Sequence, residues 1–426
     1  MSEDLRIAGQ CGAIAPDRRS RRRASALLGT TARTVSGGSR SGSRSCSRTR
    51  IPVVKKKKRT PEQESESRVQ RFALQSESAR LLPKERVAEC LRQIVPLSAG
   101  VAVQHTPSTK SAHYSGLKTC ASVWHCPVCA AKISERRRIE LQQIIEKHIE
   151  MGGSVYMTTY TISHKRYDDL QDLLQRFLEA RRKSKAGRRG QALKTDFQIC
   201  GTVSVLEVTW SEANGWHPHV HELVFCMLPR MDEENYEATM RQAWEDAAAR
   251  EGLSMNMHGF KLDRTYGAVG DYIAKFGREP ALGNKAWGVE AEMTKGHTKR
   301  GRVDEHYTPF ALLAAVNQGR EDLKPIFVEY ARCFKGRKQL TYSPHLKSFY
   351  NLEEKSDEEL AAEVQEEAVT LVMLTPGQWA QVVGNDIRGE LLEVARSGDA
   401  LAVIGYLEEF GIEGVTPAAV EQSPGT

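Results

Sequence analysis

No apolar run in the 426-residue sequence approaches the roughly 20 residues that a membrane-spanning helix needs. The opening residues are too charged for a secretory signal. Membrane and secreted classes are thereby excluded, and a reducing cytoplasm is the expected compartment. The nine cysteines do not read as a disulfide framework, since three of them fall in one short segment. A G-x-x-x-x-G-K-[ST] phosphate loop is also absent, so no nucleotide-driven motor is read in the chain.

What is present first is an uneven distribution of charge. Residues 1–59 carry 16 Lys and Arg against 3 Asp and Glu, whereas residues 352–426 carry 3 against 16. The first stretch, with Arg18 to Arg23, a Ser-Gly-Arg tract over 36–50 and Lys55 to Arg59, has too little apolar surface to fold. It reads as a disordered arm, 1–60, whose functional reading is loose phosphate binding and whose plain reading is a solvated tail. With 40 % hydrophobic residues the chain can bury a substantial core, placed over 61–351, and the acidic remainder, 352–426, reads as a small helical module.

Periodicity sketches the elements. A helix from about Pro83 to Ile94 is expected to begin the body. Strands are expected over 155–162 and 261–263, and helices over 167–183, 231–252, 310–316 and 322–334. The basic loop Lys183 to Arg189 reads equally as a DNA-backbone contact and as a solvated loop. Lys285 to Arg302, rich in Gly, Lys and His, reads as a loop near the site that could hold a DNA strand. Glu353 to Leu374 reads as an acidic helix or linker, and Thr375-Pro376 as a helix start.

The densest chemistry lies in Gly201 to Phe225, GTVSVLEVTWSEANGWHPHVHELVF. It reads as two strands joined by a turn at Asn214 and Gly215. Successive side chains on a strand point to opposite faces, so His219 and His221 share one face with Val220 behind them. Glu207 on the first strand joins that face if the loop has an odd residue count, in a register pairing Glu207 with His221 and Thr209 with His219. The plainer reading makes these residues polar positions of a half-exposed strand, with Glu222 a solvated neighbour.

Upstream, within 105–135, Cys120-x5-Cys126-x2-Cys129 has the spacing that lets thiolates clasp one tetrahedral zinc ion. Four residues compete to be the fourth ligand: His113, His105, His125 and Cys90. Buried free thiols are the alternative. Downstream, Tyr272-Ile-Ala-Lys275-Phe276 has apolar spacing suited to a helix, with Tyr272 and Lys275 on one face at i and i+3.

A His-x-His strand followed by a tyrosine helix is the arrangement of the HUH nucleases. From Ser111 to Asn351 the chain resembles the plasmid rolling-circle replication initiators, or Rep proteins, of that superfamily. The resemblance rests on the three cysteines, the strand Tyr156 to Thr161, Gly215 to His221, Tyr272 to Phe276, and Lys335-Gly336-Arg337-Lys338 onward to Lys347. It implies an α+β fold in which a central antiparallel sheet carries the His-x-His strand and the catalytic tyrosine lies on a packed helix. It further implies an enzyme that nicks and rejoins single-stranded DNA at a plasmid origin through a 5′-phosphotyrosine on Tyr272.

In that scheme His219, His221 and Glu207 hold a divalent ion, Mg or Mn by the phosphate substrate, although imidazole would also accept Zn. Lys275 bears charge developing on the phenol, and Arg337 and Lys338 suit DNA phosphates. Phe276 stands four residues after Tyr272, where some members carry a second nucleophile, so a single-tyrosine cycle is expected. A helicase and a polymerase of the host are the expected partners. A transposase or relaxase of the same chemistry is one alternative; a non-catalytic, zinc-containing DNA-binding regulator is another.

Overall fold

The computed structural model describes residues 61–264, 306–362 and 367–418. The basic arm, Tyr272, Lys275, Phe276 and the Lys285 to Arg302 stretch lie outside the described residues. In chain order the strands are β1 (Val101–Thr106), β2 (Ser111–Ser115), β3 (Ser154–Tyr160), β4 (Ile199–Ser211), β5 (Gly215–Cys226), β6 (Phe260–Arg264), β7 (His306–Tyr307), β8 (Leu340–Tyr342) and β9 (Val369–Leu374). Helices α1 (Pro61–Leu81), α2 (Pro127–Glu150), α3 (Leu170–Ser184), α4 (Gly187–Asp196) and α5 (Glu233–Arg250) precede β6, and later helices are given by their ranges.

Two antiparallel sheets result, a mixed α/β architecture. The larger runs β6-β3-β5-β4-β7, with β8 also paired to β4. Strand alternation gives it two dissimilar faces. Val155, Met157, Val203, Val205, Leu223 and Phe225 point to one side and pack on Leu141, Ile144 and Ile145 of α2. Tyr156, Tyr160, Leu206, Val208, Val220 and Val224 point to the other, onto α3 and α5. There Trp244 meets Phe177 and Tyr160 edge-on at 5.6 and 5.5 Å, the arrangement aromatic rings prefer. Asp169 caps α3 and Asp232 caps α5, each accepting from a first-turn amide.

The smaller sheet, β2-β1-β9, joins distant parts of the chain. Its core combines Val101, Val103 and Tyr114 with Phe72 of α1 and with Val382, Leu391 and Leu407 from the helices Pro376–Gly384, Arg388–Ala395 and Ala400–Glu409. The acidic 352–426 segment thus shares a sheet and a core with residues near the start of the body. Thr375 forms a capping box with Gln378 at the expected helix start.

Two expectations are corrected here. The body begins with α1, and 83–94 holds only the 3-10 turn Arg86–Ala88, because Pro83 follows the end of α1 and Leu91 takes a positive φ of 51°. The charged α1 is buried on two sides, through Leu74 into the main core and Phe72 into the smaller one. The stretch read as an acidic helix or linker holds a short helix, Asp357–Ala362, and then strand β9, whose β-branched VTLVML finds its partner in β1.

Candidate metal centres

The β4–β5 hairpin closes around Glu212, Ala213 and Asn214, with Ser211 paired to Gly215. Gly215 has φ +74°, and a Cβ there would sit 2.3 Å from the Arg166 carbonyl oxygen, so only glycine fits. This residue therefore opens β5 instead of forming the turn, and the register slides by two from the expected one. Glu207 pairs with His219, Val205 with His221 and Thr209 with His217. A slide of two keeps every side chain on its face, so Glu207, His219 and His221 still converge.

Their candidate ligand atoms lie within 4.8 Å of one another. Glu207 Oε2 is 2.9 Å from His219 Nε2 and 3.7 Å from His221 Nε2. Each side chain is between 15 and 24 % exposed, enough for a substrate to reach. The three occupy the sheet face that α2 covers elsewhere, beyond the apolar Met157, Val205 and Leu223. Two imidazoles and one carboxylate form a donor set that hard and borderline divalent ions accept.

His217 continues the row, its ring stacked on His219 at 5.4 Å and tilted to His164 at 4.9 Å. Burial, then the neighbouring His219, His164 and His306, pushes the His217 pKa down to about 4, so this ring is neutral at pH 7. A cleft of about 470 Å³ runs beside it, lined in part by His164, His258 and His306.

Directly behind the pair, Glu222 is fully buried on the opposite face. Only the plainer reading makes it a solvated neighbour; its alternation against His221 along β5 is the signal in the sequence that it points inward. Arg181 of α3 pairs with it, Lys185 Nζ lies at 2.5 Å and Ser204 Oγ at 2.9 Å. Burial alone would raise its pKa, but Lys185 and Arg181 outweigh that and hold it at about 2. Lys183 and Arg189 pair with Glu251 and Asp246, so these cations of the expected basic loop are engaged within the fold.

The second centre is fully buried. Cys90, Cys120, Cys126 and Cys129 bring their sulfurs within 4.8 Å of one another. The separations are 3.8 Å for Cys90–Cys126, 3.5 Å for Cys90–Cys129 and 3.7 Å for Cys120–Cys129. Four sulfurs at about 2.3 Å from one tetrahedral zinc stand about 3.8 Å apart, so the cage has the size that ion needs. Such a group could hold a structural metal. Hydrogen bonds from Cys120, Cys126 and Cys90 hold the Cys129 thiol well below its ordinary value, while burial pushes Cys126 up.

Cys90 is the fourth member of the cage. His125 is turned away to the Ala331 carbonyl at 2.8 Å, and His105 and His113 lie on β1 and β2. Gln75 of α1 reaches Cys126 Sγ at 3.7 Å, and Arg388 from the C-terminal helices holds Gln75 at 2.7 Å. The cysteine cage is thus braced from both ends of the chain.

Arg337 and Lys338 border a cleft of about 580 Å³ between the cysteine segment and β8. Lys335 pairs there with Glu85, and Arg337 Nε donates to the Cys333 carbonyl at 2.8 Å.

Comparison with known proteins bears on this geometry. The family model described as "Replication protein", Rep_1, matches residues 115–247, the stretch holding both β4–β5 and three of the four cysteines. Those residues are similar to the Rep_1 replication-protein family. A Streptomyces lividans relative named "Protein rep" is 24% identical over 323 residues, covering 60% of this chain and 68% of its own. A Streptomyces cyanogenus protein named "Neomycin resistance protein" is 26% identical over 133 residues, which span 26% of this chain and 30% of that one. No solved structure matches the chain. This similarity supports plasmid replication initiation as the broad function. Among the described residues no helix is long and apolar enough to cross a membrane.

Proposed function

We propose that the chain is an origin-specific, single-strand DNA endonuclease and strand transferase that starts rolling-circle plasmid replication. The observation that carries this reading is the convergence of Glu207, His219 and His221 on adjacent strands of the Rep_1 segment. These residues would hold a Mg or Mn ion, which when bound supplies Lewis-acid withdrawal of charge from the scissile phosphate.

Tyr272 is the nucleophile in this reading. Its phenol, with an ordinary pKa of about 10, attacks phosphorus in line; the bond to the 3′-oxygen breaks, that oxygen takes a proton and leaves as a 3′-hydroxyl, and the 5′-phosphate remains on the tyrosine. Lys275 bears the negative charge that develops on the phenol. The ester preserves the bond energy, so a later 3′-hydroxyl attack rejoins the strand and frees Tyr272. Arg337 and Lys338 hold DNA phosphates, and the four cysteines carry a structural zinc ion. Host helicase and polymerase extend the freed end.

The test uses single-stranded DNA from the origin of the encoding replicon, labelled at each end in turn, with Mn or Mg and a denaturing gel. The expected product is a protein-linked species retaining the 3′-side fragment, absent with Tyr272→Phe, with His219→Ala and with chelator, while duplex binding persists. Tight duplex binding with no adduct would instead assign a non-catalytic regulator.

A further inference from the structure

The strand Tyr156 to Thr161 belongs to the resemblance, yet the function above gives it no task. In the sheet β3 lies beside β5, and Thr159 stands directly opposite His221. Thr159 Oγ1 is 3.0 Å from His221 Nδ1. The corresponding atom of His219, Nδ1, faces the His217 backbone carbonyl at 3.4 Å. With both Nδ1 atoms engaged behind, both Nε2 atoms turn toward Glu207.

An imidazole ligates a metal only through a nitrogen lone pair, and the partner on its other nitrogen decides which nitrogen that is. A carbonyl can only accept, so it suits the Nδ1–H form of His219 when Nε2 gives its lone pair to a metal; without a metal, the 2.9 Å contact of Nε2 with Glu207 also holds a proton. A hydroxyl can accept or donate. Thr159 can therefore donate to Nδ1 while His221 Nε2–H points at Glu207, and accept from Nδ1–H once Nε2 gives its lone pair to a metal. The side chain serves the centre in both states without moving.

We propose that Thr159 is a positioning residue of the Glu207, His219 and His221 centre, orienting His221 so that Nε2 faces the metal. This rests on the metal reading above. Just past the end of β3, Thr161 engages the other ring nitrogen of His217, its Oγ1 lying 3.1 Å from Nε2, so a second hydroxyl faces the histidine row.

The test titrates Mn into the full-length protein and reads the dissociation constant by calorimetry; thiolate cages disfavour this ion. Thr159→Val keeps the β-branched shape a strand prefers and removes the hydroxyl. It is expected to weaken Mn binding about tenfold or more, the range for loss of an outer partner of a ligating histidine. Thr159→Ser should stay within about threefold of the parent protein by the same reasoning. Melting temperature and duplex binding should be unchanged in both. Parent-like Mn affinity in Thr159→Val, with His219→Ala inactive in binding, overturns the inference alone. Parent-like affinity in His219→Ala overturns the metal reading and the inference with it. Independently of any variant, long-range 15N NMR of the Mg-loaded protein should find His221 as the Nδ1–H tautomer; the Nε2–H tautomer overturns the proposal.

Discussion

Replacing Glu222 tests whether the histidine strand is held from behind by charge. In Glu222→Ala the Arg181 and Lys185 cations remain under the sheet without their shared carboxylate. Breaking a buried pair on one side costs about 3–5 kcal/mol. An independent route gives a similar size: displacement of the Glu222 pKa from 4.5 to about 2 corresponds to about 3 kcal/mol. Lys185 is itself held below its ordinary value, by burial first, so part of that gain is offset and the lower figure is the better one. At a few °C per kcal/mol or less for a unit of this size, the expected loss is on the order of 5–10 °C in melting temperature. Because the folded pKa lies below the unfolded one, the contribution is full above about pH 4.5 and is lost as the pH falls toward 2. Thermal melts by circular dichroism at pH 7, 5 and 3.5 should therefore show the gap between parent and variant narrowing with acid. A variant that melts within 2 °C of the parent at pH 7, with the gap unchanged at pH 3.5, refutes the reasoning.

Two further outcomes concern the other groups, beside those for Tyr272 and Thr159 above. Cys90→Ser should lower bound zinc from one equivalent toward zero by elemental analysis and destabilise the region around α1 and α2, since three thiolates leave the cage open; retention of a full equivalent would remove Cys90 from the ligand set. Arg337→Ala and Lys338→Ala should each reduce the slope of log affinity for DNA against log salt by about one, without changing sequence preference; an unchanged slope would take these cations off the DNA.

The sequence made the shared face of His219, His221 and Glu207 legible because alternation along a strand is local, depending on neighbours one and two residues away. The exact pairing was not, because it turned on the φ of Gly215 and on how closely Arg166 approaches it. Glu222 looked solvated because its partners, Arg181 and Lys185, come from a helix end about 40 residues earlier that only the packing of α3 on β5 brings near. Cys90 is one of four candidates for a similar reason: its separation of 30 positions from Cys120 follows no ligand spacing. Strand β9 was hidden by the acidic residues before it, since a strand whose partner lies far up the chain leaves no periodic trace beyond its own six residues.

That last pairing bears on how the protein is made. β1 lies between β2 and β9, and Val101 meets Leu374, about 270 residues later. At ordinary synthesis rates of about 5–20 residues per second, roughly 15 to 50 seconds separate the appearance of the two strands from the ribosome. Throughout that interval one edge of β1 has no strand beside it, an opening for wrong pairing with another nascent chain. Premature termination after β1 and before β9 would therefore leave more than a shortened chain: it would leave an uncovered β-edge, a species for quality control to remove rather than a smaller working protein.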